Sequence, residues 1–151
     1  MIMDKNNEFA DAVEVTLAAG TNLIGDVLDL GVNRDIGQAR LYLIVQVDTA
    51  FAGGTAMQFV LASDAQAAIA TSGAETRHFG TDVLTDAQLT AGFTQVYPLP
   101  MGDTAQGEDT VGYERYLGVL GIGTGTHTAG KVNLFLTLDP YGWTAHPDGN
   151  K

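Results

Sequence analysis

The feature that most constrains the fold is a regular alternation near the C-terminal end of the sequence, in which aliphatic side chains are separated by Asn133, Phe135, Thr137 and Asp139. Within residues 131–139 every second residue is Val or Leu. Successive side chains of a β-strand point to opposite faces of the sheet, so a period of two predicts a strand with one face in a core. The inward-facing set is Val132, Leu134, Leu136 and Leu138.

Similar strand-sized segments recur along the chain, separated by glycine-rich turns such as Gly53-Gly54 and Gly123-Thr124-Gly125. Many short strands with regular turn signals and almost no helical periodicity are typical of a sandwich. The sequence therefore predicts an all-β protein, a jelly-roll-like antiparallel β-sandwich of about eight strands. The predicted strands are 13–17, 24–30, 41–48, 57–61, 76–79, 93–97, 113–122 and 131–139.

Two of these strands are apolar on both faces. In 41–48 the side chain of Ile44 lies opposite the main apolar face, which predicts burial on the outer side of the sheet, under a tail or a partner. In 113–122 both faces carry apolar residues, so this strand is expected to lie centrally.

One short helix is predicted after Thr85, because Thr85 and Gln88 have the spacing of a capping box and Gly92 stands where a helix would end. Residues 65–70 are rich in alanine and fit either a helical turn or a loop. We expect a single domain over residues 1–139 with an N-terminal arm at 1–10. The segment 140–151 lacks alternation and contains two prolines, so we expect an extended C-terminal tail.

Charge restricts the possible partners. The 151 residues carry 7 Lys+Arg and 18 Asp+Glu, a formal net charge of −11. A nucleic-acid or anionic lipid surface requires clustered cations, and here they are scattered, so neither nucleic acid nor a membrane is an expected partner. The N-terminal residues do not have the apolar segment of a signal peptide. Cysteine is absent, which excludes disulfides and thiol chemistry.

The sequence contains little that indicates catalysis. The two serines, Ser63 and Ser72, lie in no nucleophile motif, although a Ser–His–acid arrangement could assemble from distant positions. We therefore predict no enzymatic activity, no catalytic residues, no cofactor and no metal site. Calcium binding by the acidic loops stays open, because they supply oxygen ligands without the spacing of an EF-hand. Those loops carry Asp26, Asp29 and Asp35, and Asp103, Glu108 and Asp109.

Three aromatic residues near the chain ends are candidates for a subunit or capsid interface. Tyr141 and Trp143 lie in a segment that cannot form its own core, and Phe9 lies in the N-terminal stretch. Each either folds back against the domain or anchors against another molecule, as Trp and Tyr commonly do at interface hot spots.

Several features, taken in order, resemble the small jelly-roll cement, or decoration, proteins of tailed-phage capsids. The resemblance covers roughly residues 10–139. Its most diagnostic part comprises Glu114-Arg115-Tyr116-Leu117, Gly123-Thr124-Gly125 and Thr128-Ala129-Gly130-Lys131-Val132. The segments that carry the resemblance earlier in the sequence are Asp35-Ile36-Gly37, the strand 41–48, Ala50-Phe51-Ala52, 60–64, 89–92 and 99–102. The segments 65–80 and 139–151 have no match in that family.

The resemblance implies a structural virion protein without enzymatic activity. It would be made in the host cytoplasm and would bind the outer capsid surface, where it stabilises contacts between major capsid protein subunits. The expected partners are the major capsid protein and further copies of this chain, as a dimer or trimer. A carbohydrate-binding or adhesive jelly-roll module is the alternative, although few exposed aromatic residues are evident for stacking on sugars.

Overall fold

The computed structural model describes residues 5–33, 36, 40–100 and 112–140. Within these residues the chain forms nine β-strands and one 3-10 turn at Lys5–Asn7. The part of the chain that the structure describes contains no helix that could span a lipid bilayer. The strands are β1 (Glu8–Glu14), β2 (Gly20–Asp29), β3 (Tyr42–Ala52), β4 (Ala56–Asp64), β5 (Thr76–Gly80), β6 (Leu84–Thr85), β7 (Thr94–Pro98), β8 (Tyr116–Thr124) and β9 (Ala129–Thr137).

The strands form two antiparallel sheets. The first sheet has the order β1-β9-β3-β7 and the second β2-β8-β4-β5, with β6 also paired to β4. Pairing is nested from the outside inwards: β1 pairs with β9, β2 with β8, β3 with β7 and β4 with β5. This nesting, distributed over a four-stranded and a five-stranded sheet that face each other, is the jelly-roll arrangement. The predicted all-β sandwich is confirmed.

The core lies between the two sheets and is built from alternate residues of their strands. Leu43, Val45 and Val47 of β3 are at most 1% exposed and face the other sheet. The same periodicity buries Val132, Leu134 and Leu136 of β9. Burial of these side chains is the main source of stability in a chain that has no disulfide to constrain its unfolded state.

The second sheet is buried on its outer face as well. Leu120 of β8 packs there against Val60 and Ala62 of β4, and Ile69 from the connection 65–75 covers them. Strand β8 lies between β2 and β4, which confirms the central position predicted from its two apolar faces. The predicted burial of Ile44 on the outer side of the first sheet is also confirmed, since its side chain is 0% exposed.

The helix predicted after Thr85 is wrong. Leu84 and Thr85 pair with β4 as strand β6, and the chain then makes a single turn in which the amide of Leu89 donates to the Thr85 carbonyl oxygen. Half of the capping box forms, because the Thr85 amide donates to the side-chain carbonyl of Gln88 at 2.9 Å. The amide of Phe51 then donates to the carbonyl of the buried Leu89, which holds this turn against β3 in place of a second helical turn.

Most strand boundaries differ from the predicted ones by a few residues, and two of these differences change the position of a predicted residue or segment. Strand β9 ends at Thr137, and Leu138 is 69% exposed although the alternation placed it in the core. At the other terminus β1 begins at Glu8, so residues 8–10 belong to the sheet and not to an arm. The tail from 141 onwards lies outside the described residues.

Candidate functional site

The longer connections of the sandwich lie at the same end. Strands β2, β4 and β7 end there and β3, β5 and β8 begin there, so the connections 30–41, 65–75 and 99–115 all join strands at this end. Strand β1 starts and β9 ends at the same end, which places the entry and exit of the domain beside these connections. We call it the long-loop end. Loops on a rigid scaffold are the usual place for binding residues, so this end is the candidate functional site.

The opposite, short-turn end is closely packed. His127, in the turn 125–128, is 1% exposed and packs against Gly54 of the turn 53–55, and its Nε2 is 3.0 Å from a carboxylate oxygen of Asp86. Gly54 is required beneath the imidazole, since a Cβ on this residue would fall on the ring. These contacts explain why the short-turn end is a compact structural element.

Asp29 and Arg115 form an ion pair across the long-loop end. Both guanidinium-to-carboxylate distances are 2.8 Å, and the Arg115 guanidinium also lies 4.9 Å from the centre of the Tyr116 ring. The hydrogen bonds from Arg115 hold the pKa of Asp29 down, at about 2. Asp29 also accepts a hydrogen bond from the Gly31 amide, so the pair fixes the start of the connection 30–41.

Two carboxylates organise the connection 65–75. Asp64 accepts hydrogen bonds from the amides of Gln66 and Ala70, and these bonds shape the segment that places Ile69 on the second sheet. At the other end of the connection Glu75 accepts from the Gly73 amide and from the Arg77 guanidinium. This connection is therefore a packed structural element, and the loop alternative for residues 65–70 holds.

A hydrogen-bonded cluster joins the ends of β4 and β5 to the segment before β8. The Ser63 hydroxyl lies 2.7 Å from Nε2 of His78, and the amide of Glu114 donates to the same hydroxyl at 3.0 Å. The Tyr113 ring stacks on the imidazole with 4.0 Å between ring centres. The Thr76 hydroxyl donates to the Glu114 carboxylate at 2.7 Å. Burial lowers the pKa of His78 to about 4, against a smaller opposing effect of Glu114.

This cluster brings together a serine and a histidine that the sequence leaves far apart, yet its geometry does not fit nucleophilic catalysis. Ser63 is 0% exposed, so its hydroxyl is out of reach of a substrate. The carboxylate of Glu114 is bonded to Thr76, whereas an orienting acid would hold the second nitrogen of the imidazole. The pair is a buried structural contact.

The acidic residues are not gathered into a metal centre in the part of the chain described. No group of three or more potential ligands is present among these residues. Asp26 lines a cavity of about 260 Å³ together with Lys5, Glu8 and Asp11, where burial and the neighbouring Asp11 raise the pKa of Glu8. Asp35, Asp103, Glu108 and Asp109 lie outside the described residues, so the question of calcium binding that the sequence analysis left open for these two loops is not tested.

The three predicted interface residues have different positions. Phe9 lies on β1, is 1% exposed and packs in the main core, so it folds back against the domain. Tyr141 and Trp143 lie outside the described residues. Two exposed apolar side chains that the sequence analysis did not select occur at the long-loop end: Val32, 58% exposed, and Leu138. Val32 is the third residue after the end of β2, and the pattern of apolar residues in the sequence gives no indication that its side chain is exposed.

Comparison with known proteins gives one positive result. Residues 9–136 match the family model described as Bbp16, and this range includes all nine strands except the first and last residues of the sandwich. A search of curated proteins finds no match.

Proposed function

This chain belongs to the Bbp16 family, and we propose that it is a structural virion protein that binds the outer surface of a phage capsid as a cement, or decoration, protein. In this role it would stabilise contacts between major capsid protein subunits. The observation that carries the proposal is the resemblance, in order and over most of the chain, to the jelly-roll cement proteins of tailed phages. The nested jelly-roll pairing and the family match over 9–136 are consistent with it.

The shape of the domain suits a protein that clamps its neighbours. The longer connections and both ends of the domain meet at the long-loop end, and Val32 and Leu138 expose apolar surface there. A small apolar contact made by each copy is sufficient on a closed shell, because a copy that bridges two capsid subunits makes its second contact at high effective concentration.

Charge is consistent with this role. With a net charge of −11, free copies repel one another, which keeps them soluble and apart before they meet a capsid. The ion pairs Asp29–Arg115 and Glu75–Arg77 use two of the few cations within the domain itself, so the remaining surface is acidic. We expect the capsid surface that this domain contacts to be basic, or at least less acidic than the domain itself.

Co-sedimentation with purified capsid shells, combined with light scattering of the free chain, tests the proposal. Binding at a fixed number of copies per capsid subunit is the expected result, with a dimer or trimer seen free or on the shell. Failure of the chain to co-sediment with shells at any ratio of chain to capsid subunit would overturn the proposal. Specific binding to glycans in the absence of shell binding would favour the carbohydrate-binding alternative.

Matched variants locate the binding surface. Val32→Asp and Leu138→Asp, both at the long-loop end, are expected to weaken shell binding by tenfold or more, since each places a charge in an apolar contact (about 1.4 kcal/mol per tenfold). Val83→Asp is the control, because Val83 is 61% exposed in the connection 81–83 between β5 and β6, away from the long-loop end. Deletion of residues 140–151 is expected to leave a folded domain with weakened binding. Equal loss in all variants would contradict the assignment to this end.

A further inference from the structure

We propose that His78 is a pH-sensitive latch of the long-loop end: the neutral imidazole holds the Ser63 hydroxyl, and with it the segment 113–114, against the β4–β5 hairpin, and protonation releases this contact. The inference concerns the fold of the isolated chain and does not depend on capsid binding. It rests on the hydrogen-bond geometry of Ser63.

The Ser63 hydroxyl has a fixed direction. Its oxygen accepts a hydrogen bond from the Glu114 amide, a group that can only donate. Among the described residues Nε2 of His78, 2.7 Å away, is the one acceptor recorded for its hydrogen, and since Ser63 is 0% exposed no solvent water competes for it, so the hydroxyl is fully satisfied when it donates to Nε2. Nε2 must be the unprotonated nitrogen, so the neutral imidazole carries its proton on Nδ1.

Protonation of His78 reverses the role of Nε2 from acceptor to donor. Nε2–H would then donate to Oγ of Ser63, and the hydroxyl hydrogen would have to rotate away from Nε2 in a site without solvent, where no other acceptor is recorded among the described residues. An unsatisfied buried hydroxyl is costly, and the imidazolium is also desolvated beneath the stacked Tyr113 ring. Movement of the segment at Tyr113 and Glu114 off the hairpin relieves both costs, because it lets water reach the two groups. The imidazole itself is half-buried, so a proton can reach it from solvent.

The charges around His78 favour its protonation, whereas desolvation of the imidazole opposes it. Glu114, from the segment before β8, favours the imidazolium, as does the face of the Tyr113 ring. At the start of β5, Arg77 and the preceding Glu75 neutralise each other through their ion pair. At the end of β4 the carboxylate of Asp64 is engaged by the amides of Gln66 and Ala70. Among the described residues, desolvation by the surrounding strands therefore dominates and keeps the imidazole neutral.

The position of the latch gives it a consequence for the loops. Ser63 precedes the connection 65–75, and Glu114 lies at the end of the connection 99–115. Tyr113 also donates a hydrogen bond from its hydroxyl to the Pro100 carbonyl at 2.7 Å, so it closes the base of the connection 99–115. Release of Tyr113 and Glu114 would loosen that base while leaving the short-turn end intact.

The first test is ¹⁵N NMR of the histidine imidazoles in the full chain. At neutral pH the His78 spectrum is expected to show the form protonated on Nδ1, with a titration midpoint well below the ordinary value of 6.5. A proton on Nε2 at neutral pH, or a midpoint at the ordinary value, would overturn the proposal. This measurement needs no variant and so does not depend on whether a mutant folds.

The second test is hydrogen exchange of the Glu114 amide between pH 7 and pH 4, corrected for intrinsic exchange, in the wild type and in His78→Gln. Glutamine accepts a hydrogen bond but does not titrate, and the carboxylates are the same in both proteins. Protection of Glu114 is expected to fall by roughly tenfold or more in the wild type only. The His127 amide, bonded to the Leu17 carbonyl at the short-turn end, reports global unfolding. Equal pH dependence in both proteins, or parallel loss at His127, would contradict a local latch.

Discussion

Asp29 and Arg115, separated by 86 positions in the sequence, meet at the long-loop end through two parallel hydrogen bonds of 2.8 Å. The contact joins the last residue of β2 to the residue before β8, and both side chains remain about half exposed, at 46% and 47%. Such a pair fixes geometry more than it stabilises the fold, since solvent screens exposed charges. Its effect on the pKa of Asp29 is nevertheless measurable.

We expect the Arg115→Met substitution to raise the pKa of Asp29 from about 2 towards its ordinary value of 3.8, because the hydrogen bonds that favour the carboxylate are lost. Carboxyl ¹³C NMR over an acid titration measures this directly. The sign for stability follows: the contribution of Asp29 is complete above its unfolded pKa and is lost as the pH falls through about 2. Arg77→Met, which breaks a different ion pair, is the control and should leave the Asp29 titration unchanged.

The stability of the domain should decrease in mild acid because of His78. Its pKa is lowered in the fold to about 4 from 6.5, so the unfolded chain binds more protons between these values and unfolding is favoured as the pH falls through this range. After allowance for partial exposure, we expect a loss of about 1–2 kcal/mol between pH 7 and pH 4 relative to His78→Gln. Urea unfolding at a series of pH values measures the difference. Parallel curves for the two proteins would contradict the assignment to His78.

Gly25 should tolerate no side chain. Its φ of +68° lies in the left-handed region, and a Cβ there would fall on the carbonyl oxygen of Phe9 where β1 passes β2. We expect Gly25→Ala to destabilise the fold by about 2–4 kcal/mol in urea unfolding. Gly20→Ala separates conformation from collision, since Gly20 has a φ of +113° with no atom within 4 Å of an added Cβ. A comparable loss in both would show that backbone conformation alone is responsible.

The connection 65–75 should contribute to stability through Ile69. This side chain is 6% exposed and covers Leu120 and Val60 on the outer face of the second sheet. We expect Ile69→Ala to cost about 2–4 kcal/mol, from lost burial and the cavity that remains. Val83→Ala, at an exposed position, provides the control and should change the free energy of unfolding by less than about 0.5 kcal/mol. A negligible effect at Ile69 would mean that the connection is not part of the core.

The strand pattern was predictable from the sequence because a period of two is a local property of the chain. Residues 41–48 and 131–139 alternate clearly, and both form strands of the first sheet. The prediction failed at Leu138, since pairing ends where Tyr42, the first residue of β3, lies opposite Thr137. Beyond that pair none of the strands in the described residues lies beside Leu138. The helix expected after Thr85 failed for a related reason, because Leu84 and Thr85 pair with Ala56 and Met57 of β4.

Within the candidate site, the sequence identified its ingredients but not their arrangement. Asp29 was named among the acidic loop residues, but nothing in the sequence indicated its ion pair with Arg115. Ser63 and His78 gave no local signal of their contact. Their contact depends on the register in which Ser63 lies opposite Thr76, and on the irregularity between Leu61 and Ala62 that sets this register.

The sequence by itself therefore determined the fold class, the acidic surface and most of the strands, all of which follow from residue type and local periodicity. Tertiary structure alone decided that the longer connections share one end, that Phe9 lies in the core and that the Ser63 hydroxyl faces His78. The physical reason is that sheet pairing joins residues distant in sequence, and its register is set by the packing of the whole sandwich. Burial and hydrogen-bond direction follow from that packing.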